Sequence, residues 1–145
     1  MAELVITRIF DAPREQVYRA FTDPVQLARW FGPVGWSVPR ESVDVDDRVG
    51  GPFSFTMVND ADPDDTSPVT AVFREVVKNE LLVGHEEDVQ GRGDITEMTV
   101  RLEFYDEGEG KTRLVLRQGP FDEATGEMAR EGWLSSFTKL DRALG

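Results

Sequence analysis

From Met98 to Tyr105 the chain alternates: Met98, Val100, Leu102 and Phe104 fall on one parity, and Thr99, Arg101, Glu103 and Tyr105 on the other. A period of two sends successive side chains to opposite faces of a strand, so MTVRLEFY predicts a strand with one buried and one wet face. PFSFTMV repeats the pattern with Phe53, Phe55 and Met57 on the apolar parity. LVITRIF, from Leu4 to Phe10, is rich in β-branched residues and predicts another strand. VTAVFREVV and NELLVGHEEDV predict a pair of strands around Lys78-Asn79, and TRLVLRQ returns from MTVRLEFY through the turn DEGEGK. WSVPRESVDV also has period two. DDRVGG and QGRGD predict turns, and NDADPDDTSP, from Asn59 to Pro68, predicts a polar loop.

Elsewhere the period changes to that of a helix. In PREQVYRAFT the apolar residues Val17, Ala20 and Phe21 recur at helical spacing, and Pro13 suits a first helical position. Asp23-Pro24 starts a second short helix, VQLARWF, which Gly32 and Pro33 end. GPFDEATGEMARE then leads into EGWLSSFTKLDRAL, where Phe137, Leu140 and Leu144 follow Trp133 on one stripe. Asp122 and Thr125 both suit the cap of this closing helix.

The order is one strand, two short helices, about six sequential strands and one long helix. Sequential strands joined by short turns make an antiparallel meander, so the expected fold class is α+β. With no repeat and no dividing linker, residues 1–145 are expected to form one domain. The aromatic stripe of the last helix needs a large apolar surface, and the concave face of a curved sheet supplies one. The other face, with Arg101, Glu103, Arg113 and Arg117, is expected to meet water.

Composition narrows the function classes. The 28 acidic and 16 basic residues give a net charge of −12. Phosphate neutralisation needs the opposite sign, so nucleic acid and anionic membrane surfaces are disfavoured as partners. No apolar run is long enough for a membrane span, and the N-terminus lacks the pattern of a signal peptide, so a cytoplasmic location is expected. The absence of cysteine excludes disulfides and thiolate chemistry.

Candidate chemistry is sparse. His85 is the only histidine, so a zinc site would rest almost wholly on carboxylates, and no metal or cofactor is expected. On the parity of Leu81 and Val83 it would face a cavity if that parity points inward. NDADPDD is acidic but lacks the glycine and terminal glutamate of an EF-hand loop. VGG at Val49–Gly51 has no phosphate-cradle pattern, and Ser135 and Ser136 have no nucleophile elbow around them. The aromatic residues are the stronger signal, because ligand pockets are mainly apolar with a few placed polar groups.

IFDAPREQVYRAFTDPVQLARWFGP, DDRVGGPFSFTM, KTRLVLRQGPF and the closing GWLSSFTKL, in that order over most of the chain, resemble the START-like helix-grip (SRPBCC) superfamily. Within it the resemblance is to the branch related to the C-terminal domain of the heat-shock protein 90 ATPase activator. It implies a curved antiparallel sheet wrapped around a long C-terminal helix, with a largely apolar cavity between them. The function it implies first is binding of an apolar or aromatic small molecule or lipid, by a monomer or homodimer. The expected lining is Trp30, Phe31, Trp36, Phe53, Phe55, Met57, Phe73, His85, Met98, Trp133 and Phe137. The alternative it implies is a co-chaperone-like module that engages a chaperone ATPase. The eukaryotic activator pairs this domain with an N-terminal one that has no counterpart here, which ranks that reading second. A cyclase-like or hydrolytic enzyme ranks third, because no acid–base pair stands out.

Overall fold

The computed structural model describes residues 2–87 and 97–144; the QGRGD turn expected from the sequence lies outside them. Strand β1 (Ala2–Phe10) leads to helices α1 (Arg14–Thr22) and α2 (Pro24–Trp30). Strands β2 (Trp36–Ser37), β3 (Asp44–Val45), β4 (Pro52–Asn59), β5 (Asp62–Val77), β6 (Leu81–Glu87), β7 (Glu97–Gly108) and β8 (Lys111–Phe121) follow, and α3 (Glu123–Leu144) closes the chain. The sheet is antiparallel with the order β1-β8-β7-β6-β5-β4-β2, and β3 also pairs with β4. It curls around α3 as a half-barrel, the expected α+β helix-grip architecture.

Local chemistry accounts for the element boundaries. Pro13 precedes α1 with an extended backbone, one position outside the helix start expected for it. Asp23 ends α1 and caps α2: its Oδ1 accepts from the Val25 and Gln26 amides at 2.9 and 3.4 Å. Gly32 then turns the chain with a φ of +96°, a conformation that carries little penalty only without a Cβ. At α3 the choice between caps falls to Asp122, whose Oδ1 accepts from the Thr125 amide at 2.7 Å. That bond holds the Asp122 carboxyl below its ordinary pKa.

Two expectations are corrected. WSVPRESVDV is not one strand: Pro39 precedes a 3₁₀ turn at Arg40–Ser42, leaving only the two-residue β2 and β3. NDADPDDTSP is not a loop, because β5 begins at Asp62 and pairs Thr66, Ser67 and Pro68 with Val58, Met57 and Thr56. Asn59 fastens this hairpin, accepting from the Ala61 amide and donating to Asp65 at 3.0 Å. Asp62 to Thr66 are all exposed, so no alternating pattern marks them as strand.

The two faces of the sheet divide as the period of two requires. Leu82, Leu102, Leu116 and Ile6 form one row across four strands and belong to the core cluster, with Phe104 and Leu114 beside them. Phe137 and Leu140 of α3 are fully buried above this face. α2 supplies Trp30, also fully buried, whose Nε1 donates to the Ala20 carbonyl at 2.9 Å. On the outer face Arg101 and Arg117 stand opposite each other, which would be repulsive alone. Glu103 between them accepts from Arg101 Nε at 2.8 Å and lies 3.8 Å from Arg117 Nε.

Phe137 meets Phe10 edge-on at 5.3 Å and Trp30 at 6.4 Å, so its removal leaves a cavity that several elements border. Phe137→Ala is expected to cost about 3–5 kcal/mol in denaturant unfolding, as full truncation of a buried aromatic does.

Candidate ligand groove between the sheet and the closing helix

The aromatic residues picked from the sequence converge beneath α3. Phe31 lies 4.4 Å from Phe55 and 5.4 Å from Trp133, between ring centroids, and Phe53 lies 5.4 Å from Phe55 and 5.3 Å from Phe73. Trp30 and Phe137 extend the cluster through Phe31 and Trp133. Met98 is buried on the same face, and Met57 packs against the cluster half-buried. Trp36, half-buried in the edge strand β2, has its Cβ within 3.5 Å of where a side chain on Gly32 would begin, and Met57 lies 3.7 Å from the same point.

His85 does not join them. It has the parity of Leu81 and Val83, and that parity points outward, since Leu82 and Gly84 face the core. The imidazole is buried on the outer face, with Nδ1 at 2.9 Å from Thr99 Oγ1 and Nε2 at 3.9 Å from Glu97. Among the described residues, no group of three or more His, Asp or Glu side chains comes together to hold a metal ion.

The inner face is sealed at one end and only partly covered at the other. Near the C-terminal end of α3, Leu102, Leu116, Phe137 and Leu140 exclude water, and Arg8 spans the Phe10 and Phe137 rings while donating to Asp141 at 3.0 Å. One row along, Val100 and Gln118 keep partial exposure, as do Trp133 and Ala129 above them and Val69 and Met57 beside them. Trp133 bridges this groove: its Nε1 donates to Gln118 Oε1 at 2.7 Å, tying helix to sheet.

Two polar residues that sequence reasoning passed over stand in this groove. Gln118 continues the alternation of Thr112, Leu114 and Leu116, which was readable. Glu86 sits between Ala71 and Met98 on the neighbouring strands and is only 7% exposed. In LLVGHEE both parities carry leucine or valine, so no pattern showed which of His85 and Glu86 faces inward.

The helix is held most firmly beyond this groove. Lys139 Nζ donates to the carbonyls of Gly32 and Trp36 at 3.1 and 2.9 Å, and Ser135 Oγ accepts from the Val34 amide at 2.9 Å. Burial lowers the Lys139 pKa. Two further clefts lie elsewhere. One of about 590 Å³ has Leu4, Phe121 and Gly126 with Glu123, Glu127 and Arg130 around it. The other, about 240 Å³, includes Tyr18 and Lys78. Tyr18 donates to Asp47 at 2.9 Å, and burial together with that bond raises its pKa strongly.

Residues 11–145 match the family described as activator of Hsp90 ATPase homolog 1-like protein. The chain belongs to that family. Solved structures similar to this activator-like chain agree over nearly its whole length. A protein from Chromobacterium violaceum is 25% identical, with 98% of this chain and 96% of that one covered and a TM-score of 0.86. An activator-homologue protein from Silicibacter pomeroyi is 27% identical over 99% and 97%, with a TM-score of 0.82. One from Nitrosomonas europaea is 25% identical over 98% and 93%, with a TM-score of 0.80. No protein of curated function matches. The family and fold fit either a ligand-binding or a Hsp90 co-chaperone-like module. No helix among the described residues is long and apolar enough to cross a membrane.

Gly84 gives the groove a direct test. A Cβ there would lie 3.5 Å from Val100 Cγ1, 3.9 Å from Phe53 and 4.0 Å from Ala71, all ordinary contacts. Gly84→Ala therefore fits without strain and restricts the unfolded chain, so denaturant unfolding should show a gain of about 0.4–1 kcal/mol. A loss instead would mean that the groove floor is closed more tightly than these distances allow.

Proposed function

We propose that this protein binds an apolar or aromatic small molecule in the groove between its sheet and α3, with Trp133, Phe31, Phe53, Phe55, Phe73, Met98 and Val100 around it. The observation that supports this reading is the change in exposure along one continuous apolar face. Leu102 and Leu116 are sealed, whereas Val100 and Gln118 in the next row remain accessible under a tryptophan. A wet apolar surface of this kind gains by taking up a ligand, about 25 cal/mol for each Å² removed from water. A few polar groups among aromatic walls suit a ligand that is fixed in orientation as well as held.

The family description favours a second reading, assistance to a Hsp90-type ATPase. Its measurement is the chaperone's ATP turnover with and without the purified protein. Reproducible stimulation would reverse the order of the two readings.

Trp133 separates a ligand wall from a filled core. Thermal melts and titrations with a neutral apolar dye are to be compared for wild type and Trp133→Ala. The wild type is expected to bind the dye. The variant should bind it with severalfold altered affinity and lose less stability than the about 3–5 kcal/mol of a sealed aromatic. Absence of dye binding in the wild type, with a full-sized stability loss in the variant, would show a filled core.

A further inference from the structure

One row of the inner face runs Leu4, Gln118, Val100 and Gly84 across β1, β8, β7 and β6, and Gln118 is its one polar member. The orientation of that amide follows from its partner. An indole N–H only donates, so the atom 2.7 Å from Trp133 Nε1 is the amide oxygen, and the nitrogen takes the other branch of the same planar group. Nε2 has two N–H donors, and no acceptor among the described residues takes a hydrogen bond from them. Nor is it sealed: Gln118 is half-buried, and Nε2 is not one of the partnerless polar atoms closed off from solvent. Space lies on the β1 side of it. Leu4, directly across from Gln118, borders the cleft of about 590 Å³, which also reaches Arg130, one turn before Trp133 on α3.

We infer that Gln118 is the polar anchor of the ligand, and that the groove takes aromatic or aliphatic molecules with a neutral carbonyl oxygen, which accepts from Nε2. This rests on the reading of the groove as a ligand site. The bond to Trp133 holds the amide in place before any ligand arrives, so little side-chain freedom is lost when a carbonyl pairs with it. The indole N–H cannot compete for that carbonyl, because Gln118 Oε1 already occupies it. A hydrocarbon laid over Nε2 would cover two donors without pairing them, which costs more than the lost bond alone. Charge decides against anionic acceptors. Around the adjoining cleft stand Glu3, Asp122, Glu123 and Glu127 with Arg130, on a protein of net charge −12, so a carboxylate ligand approaches against the field. Ketones, esters and amides remain as the class that satisfies the donor without bringing a negative charge.

The test uses 2-acetylnaphthalene and its isostere 2-isopropenylnaphthalene, in which a methylene group replaces the carbonyl oxygen, as competitors of the neutral dye N-phenyl-1-naphthylamine. Gln118→Glu is the informative variant, because an ionised carboxylate still accepts from the Trp133 indole but has no N–H to donate. Between wild type and variant the ketone is expected to weaken by about fivefold relative to the alkene, the scale of one uncharged hydrogen bond. In wild type, the isotope-edited infrared band of the bound ketone, labelled at its carbonyl carbon, should lie below its frequency in an alkane. An unshifted band overturns the inference while the proposed function stands, since the ketone is then bound without a donor. A ketone-to-alkene ratio unchanged in a folded Gln118→Glu protein also overturns it, as does tighter binding of 2-naphthoate than of the ketone by wild type. Failure of wild type to bind the dye and both naphthalenes overturns the proposed function as well. The infrared band of the wild type decides even where the variant does not fold.

Discussion

One helix is about 10–12 Å across with its side chains, whereas neighbouring strands lie about 4.8 Å apart. A single helix cannot cover the inner face of a sheet this wide, and most of the architecture follows from that mismatch. α3 seals the rows of Leu102 and Leu116 with Phe137 and Leu140. α1 and α2 extend the cover: Tyr18 and Phe21 reach the Phe104 ring, and Trp30 fills the space between α2 and Phe137. Among the described residues, the remaining inner surface under the first half of α3 has the half-buried Trp133 and Ala129 above it. The candidate groove is the stretch that a one-helix cover leaves partly exposed.

Trp133 also shows why that partial cover need not destabilise the molecule. Its ring packs on Phe31 and Phe137, and its indole N–H is bonded to Gln118. A buried indole donor without a partner would cost roughly 1–3 kcal/mol. With it satisfied, the same side chain serves as packing toward the core and as a wall toward the groove.

Much of this was legible in the sequence. Alternation in MTVRLEFY and PFSFTMV placed Met98, Phe53 and Phe55 correctly on the inner face, and Asp23-Pro24 marked the junction of the two short helices. Legibility failed where no face is buried or where both are. The start of β5 is exposed on both sides, so its acidic residues looked like a loop. β6 is the opposite case: Val83 is covered on the outer face, where Arg101 stands beside it, and Leu82 is covered by the core. With both parities apolar, His85 was the conspicuous residue and Glu86 went unremarked. The register with β7 resolves that ambiguity, and register is a long-range property that local spacing does not encode.

Asp23 has a consequence for chain length. Its amide closes α1 on the Arg19 carbonyl at 2.8 Å while its carboxylate opens α2, so Asp23 alone separates the two helices. Trp30 then reaches back to the Ala20 carbonyl and packs on Phe21 at 4.9 Å. A residue inserted in α2 ahead of Trp30 would carry the indole about 100° around the helix axis, away from both partners. The hairpin at Asp60–Ala61 faces no such demand, because its turn and the first residues of β5 are exposed. Insertions and deletions among relatives should therefore collect in that hairpin and spare the sixteen positions of the two helices and Asp23 between them, where the count of residues is itself a structural element.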